Sequence, residues 1–213
     1  MTSILSRFHP LKWISLLLFA YFVILMGDIT IQYIPFNPDV AFLRIKQTEV
    51  VHVPNYLLVF YTHVYSSIFV LLAGFTQFNR SVLKRQPFVH RCLGYFYVFI
   101  VLFLSAPSGI FMGYHANGGS IAVWAFITLG ALWFLFTAGA WLYALQGNIK
   151  MHKKFMYRSF ALALSAITLR LWKVILVYSF HPSPMDVYKI IAWLGWIPNL
   201  IFVELLLIQQ QKK

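Results

Sequence analysis

The chain of 213 residues is 61% hydrophobic and only 10% charged, with a mean hydropathy of +0.75. A soluble domain must cover its surface with polar groups and cannot be built from this composition. The net charge of +12 does not point to nucleic acid, because the basic residues gather in particular loops and at the two chain ends, the pattern that sets membrane topology.

Apolar runs long enough to cross a hydrocarbon core of about 30 Å recur near 12–34, 55–78, 91–114, 121–146, 155–180 and 188–209. The expected fold class is all-α: residues 1–213 form one polytopic integral membrane bundle of six transmembrane helices. In that arrangement Arg7 and Lys12, then Arg80, Lys84, Arg85 and Arg91, then Lys150, Lys153, Lys154 and Arg158, then Lys212 and Lys213 fall on one side. That side is expected to be cytoplasmic, with both termini inside.

The run 12–34 has a basic start but no small-residue cleavage site after it, so it reads as a retained helix rather than a signal peptide. Gly27 and Asp28 lie near its outer end. From 35 to 54, Pro35, Pro38 and Pro54 act as breakers, and Val40, Leu43 and Val50 recur at helical spacing among Arg44, Lys46 and Glu49. A short amphipathic helix on the outer surface is expected there, with His52 solvated.

The second run carries His63, Ser67, Val70, Gly74 and Gln77 in one narrow helical stripe. Facing lipid would leave His63 and Gln77 without partners, so the stripe is expected to point into the bundle. The third begins at His90 and places Gly94, Tyr97, Ser108 and His115 on one face, with Pro107 expected to kink it. The breaker-rich turn HANGG at 115–119 makes the third and fourth runs antiparallel neighbours. The fourth carries Trp124, Trp133 and Trp141 but no ionisable residue, and reads as scaffold.

The fifth run, HKKFMYRSFALALSAITLR at 152–170, starts basic and ends with an arginine inside an apolar segment. Eighteen residues close about five helical turns, so His152 and Arg170 are expected on one face about 27 Å apart, with Ser159, Ala163 and Ala166 between them. In the sixth run Glu204 stands at the depth of Arg158, and an ion pair between them would relieve both. Cys92 is the only cysteine, which excludes an intramolecular disulfide and any cysteine-clustered metal or iron–sulfur site.

The blocks LAGFTQF at 72–78, HRCLGYFYV at 90–98, SGIFMGYHANGG at 108–119, HKKFMYRSFALALSAITLR at 152–170 and WLGWIPNLIFVE at 193–204 together resemble the bacterial membrane-protein family known as domain of unknown function 2306. The resemblance implies a fold and the inner (cytoplasmic) membrane, but no established activity. Tyr95 departs from the family pattern, and His115 is not part of it. A more distant similarity is to the transmembrane cytochromes b, which implies haem held between histidines on facing helices, small residues making room, and cations meeting the propionates.

His90 and His152 are the best ligand pair for a haem b, since both stand where a helix enters the membrane on the same side. Interfacial polar residues would give the same pattern. Counting about 1.5 Å per residue, His63 and Arg170 both lie roughly 22 Å from that side, whereas His115 lies roughly 36 Å from it. An arginine at that depth needs a partner. The choices are Asp28, helix carbonyls and serines, or an anionic or carbonyl-bearing ligand such as a haem propionate or a quinone.

Phosphate loops and paired acidic residues are absent, as only five acids exist and they are scattered, which argues against hydrolysis and magnesium chemistry. No inverted repeat with two broken helices is visible, which weakens a secondary-transporter reading. Three function classes stay open. They are haem-dependent electron transfer coupled to a quinone or a partner oxidoreductase, binding or transport of a small anionic or lipophilic ligand at His63 and Arg170, and a non-catalytic membrane subunit.

Overall fold

The computed structural model describes residues 10–78 and 80–211. Arg7, Lys212 and Lys213, and the side chains of Lys12 and Arg80, lie outside the described residues. Every described element is a helix. In chain order they are α1 (Pro10–Ile31), a short 3-10 helix (Ala41–Lys46), α2 (Gln47–His52), α3 (Tyr56–Gln77), α4 (Arg80–Arg85) and α5 (Pro87–Ile100). A π-helical segment (Val101–Ser105) joins α5 to α6 (Ala106–Tyr114), followed by α7 (Gly119–Leu145), α8 (Ile149–Ala163), α9 (Ser165–Phe180), α10 (Pro184–Leu194) and α11 (Ile197–Gln211).

Among the described residues, four helices are long and apolar enough to cross a membrane: Tyr56–Gln77, Pro87–Tyr114, Gly119–Leu145 and Pro184–Gln211. The bent pair α8 and α9 makes a fifth if taken as one span. Proline sets several starts, with Pro87 opening α5 and Pro184 opening α10, positions where its missing N–H costs nothing. Asn148 caps α8 by accepting from the Met151 N–H at 3.1 Å. Gly118 and Gly147 adopt φ of +92° and +71° at the two ends of α7, conformations that suit a residue without Cβ.

In hydrocarbon, helix association rests on close packing and interhelical hydrogen bonds rather than on apolar burial. The bundle is built that way. Gly74 faces the Phe160 ring, Gly130 faces Ile110 and Gly139 faces Phe155, all so closely that a Cβ on the glycine would collide. Val70, Tyr97, Val101, Ala106 and Ala140 are fully enclosed. Tyr97, Thr137 and Ser159, from α5, α7 and α8, form a buried hydroxyl knot in which Ser159 Oγ lies 2.8 Å from Tyr97 Oη and 2.7 Å from Thr137 Oγ1.

Two expectations need correction. The segment 35–54 does not lie free on a surface: Leu43 and Lys46 are 0% and 1% exposed, and Leu43 packs with Tyr33, Tyr56 and Phe60. The cause is Lys46, whose ammonium finds buried acceptors that an amphipathic pattern cannot reveal. Second, His152 to Arg170 is not one straight helix, because α8 ends at Ala163 and α9 leaves at 42° to it. No proline or glycine stands nearby; instead the Asn199 side chain of α11 enters the ladder and donates to the Ala161 carbonyl at 3.0 Å, a recognised way to bend a helix.

Candidate functional site

Lys84, Arg85, Arg91, Lys150, Lys153 and Lys154 gather where α3 ends, α5 and α8 begin, and α7 and α11 meet them. This is the basic end of the bundle. His90, in the first turn of α5, and His152, in the first turn of α8, both stand here, with His90 within electrostatic range of His152. His152 Nδ1 lies 2.8 Å from the Ala140 carbonyl of α7, so that nitrogen carries the proton and Nε2 keeps a free lone pair. Metal-bound imidazoles use the same arrangement to fix tautomer and orientation. His90 Nδ1 is buried without a partner, although the His90 carbonyl accepts from Gln77 Nε2 at 3.3 Å.

Two imidazole nitrogens are a donor type that haem iron takes. The surrounding space is filled by side chains, not backbone: a Cβ on Gly94 would meet the Gln77 amide at 3.2 Å, and one on Gly139 would meet the Phe155 ring. The small-residue stripe further along α8 offers no room, since Ser159 is enclosed by its hydroxyl partners and Ala163 is buried. Among the described residues, no group of three or more His, Cys, Asp or Glu is placed to hold a metal ion.

His63 and Arg170 are occupied separately. His63 Nδ1 lies 2.9 Å from the Ser105 carbonyl and 3.3 Å from Ser108 Oγ. The carbonyl is presented by the π-helical segment just before Pro107, and Gly109 leaves space for the imidazole, whose Cε1 would sit 3.0 Å from an added Cβ. Arg170 donates to the carbonyl of Ala166 in its own helix and lies within electrostatic range of Tyr33. Asp28 is exposed and forms no ion pair with it. His115 packs against Tyr56, Phe111 and Tyr114, apart from His63.

Arg158 and Glu204 form a bidentate pair between α8 and α11, at 2.5 and 2.8 Å, with the guanidinium also over the Phe136 and Phe155 rings. In sequence Lys46 is one charge among several on a short amphipathic helix, yet its side chain is 1% exposed. Its Nζ donates to Glu49 Oε1 and Asn117 Oδ1, each at 2.6 Å, and to the His115 carbonyl. Partial burial works against the Glu49 carboxylate, but the Lys46 hydrogen bond and charge outweigh it and hold that carboxyl below the usual range.

Apolar helices with interlocked glycines and internally satisfied polar groups define a multi-pass helical membrane protein. The chain belongs to the family described as predicted membrane protein DUF2306, whose model matches residues 60–207. That range holds α4 to α10 and most of α3 and α11, and with them both His90 and His152. No curated protein and no solved structure matches the chain.

Proposed function

We propose that this protein is a membrane electron-transfer protein of the haem b type, with His90 and His152 as the axial pair. The observation that carries the reading is their shared place at the basic end, within electrostatic range, with His90 Nδ1 unpartnered and His152 Nδ1 committed to the Ala140 carbonyl. Bound haem would supply a one-electron carrier whose potential the two imidazoles set. The Ala140 carbonyl holds the His152 tautomer and Gln77 steadies the backbone of His90. Arg91 and Lys153 flank the pair as cations for the propionates. A quinone or a partner oxidoreductase would exchange the electrons.

The same reading takes α1 as one more span, six in all, places the basic end in the cytoplasm with both termini, and assigns the inner membrane. The seat at His63 and Arg170 has less to recommend it, since both side chains already have partners within the chain.

The test is to purify the protein from a haem-replete host and record oxidised and reduced absorption spectra. Bound haem is expected in the wild type and its loss in both His90→Ala and His152→Ala with the fold retained. A colourless, folded wild type that also fails to take up added haem refutes the reading.

A further inference from the structure

Two adjacent spans are interrupted at the same depth. The α8–α9 break at Leu164 stands 15 residues from Ile149, and the α10–α11 break ends at Trp196, 15 residues from Gln211. At about 1.5 Å per residue each is roughly 22 Å from the basic end. Pro198 and Gly195 explain the second break, while Asn199 reaches across to the first.

Around Asn199, oxygens converge from α8, α9 and the α10–α11 break. Its amide nitrogen lies 3.0 Å from the Ala161 carbonyl, 3.0 Å from Thr168 Oγ1 and 3.3 Å from the Gly195 carbonyl. An amide has only two hydrogens for these three acceptors. Thr168 Oγ1–H also donates to Gly195, with the Leu164 carbonyl 3.1 Å away. Ala161 and Gly195 are buried and Thr168 and Asn199 half-buried. In the membrane, unwound carbonyls of interrupted helices coordinate small cations.

We propose that the paired breaks form a site for a monovalent cation of the Na+ type, with Ala161 and Gly195 carbonyls, Thr168 Oγ1 and Asn199 Oδ1 as ligands. In the present arrangement the Asn199 NH2 occupies the cation's place, and a half-turn of the amide replaces it with Oδ1. All four ligands are neutral, which favours a monovalent ion over Ca2+ or Mg2+, whose sites draw on carboxylates. Arg170 does not intrude, because two residues on from Thr168 a side chain points about 200° away around the helix.

The experiment follows thermal unfolding of the full-length protein in detergent, titrated with NaCl against choline chloride at equal ionic strength. The midpoint is expected to rise along a saturating curve with Na+ and not with choline. Thr168→Val should abolish that response, and Asn199→Asp, by adding a charge beside the ion, should lower half-saturating Na+ about tenfold. A wild-type midpoint that follows ionic strength alone overturns the proposal, as does a Na+ response that both variants leave unchanged. If Thr168→Val does not fold, Asn199→Asp decides, because a purely structural stitch would lose its amide donors without gaining any Na+ dependence.

Discussion

Lys46 and His90, at opposite ends of the bundle, treat their buried polar atoms in opposite ways. Around Lys46 every ammonium hydrogen has an acceptor, and its bonds to the His115 carbonyl and Asn117 tie the 41–52 segment to the 115–117 turn. At the basic end one nitrogen of His90 is buried with nothing to bond and His152 keeps a lone pair to spare. Leaving a buried polar group unsatisfied costs about 1–3 kcal/mol, so the first arrangement serves stability and the second persists at stability's expense.

The comparison breaks most visibly at Lys46. Lys46→Met should cost about 3–5 kcal/mol, the cost of removing one partner of a buried pair, read from denaturant or thermal unfolding. A change below about 0.5 kcal/mol, the range of ordinary surface substitutions, would refute its structural role. Gly74→Ala tests the packing between the two ends. An added Cβ would lie 2.3 Å from the Phe160 ring, and overpacking of this kind costs about 1–3 kcal/mol.

A smaller effect is expected from acid. The folded-state carboxyl of Glu49 lies below its ordinary value, so its contribution is complete above the unfolded-state pKa and is lost as pH falls through the folded one. A stability profile from neutral pH downward should show this loss in the wild type and lack it in Glu49→Gln. Partial exposure of Glu49 keeps the effect modest. The smallest change belongs to His90→Leu, expected within about 0.5 kcal/mol of wild type or slightly stabilising, because no hydrogen bond of the imidazole is lost. A large loss there would place His90 with Lys46 among the structural residues.

Much of the helical layout was legible from apolar run lengths and breaker residues, and the depth count along the helices put Arg158 beside Glu204. What escaped the sequence has one physical source: its cause lies far along the chain. Lys46 looks like any solvated lysine because its acceptors stand 69 and 71 residues away. The bend at Leu164 has no local breaker because Asn199, 38 residues beyond Ala161, makes it. The small-residue stripes were visible, but not that phenylalanines from neighbouring helices fill them.

The hydroxyl knot carries a consequence for synthesis. Thr137 can wait alone in the bilayer, since its hydroxyl also bonds to the Trp133 carbonyl of its own helix at 2.7 Å. Tyr97 has no such resource until Ser159 arrives. A nascent chain that has inserted α5 and α7 but not α8 therefore holds an unanswered phenol in lipid. The arrival of α8 closes the assembly by supplying the Ser159 hydroxyl that links the other two.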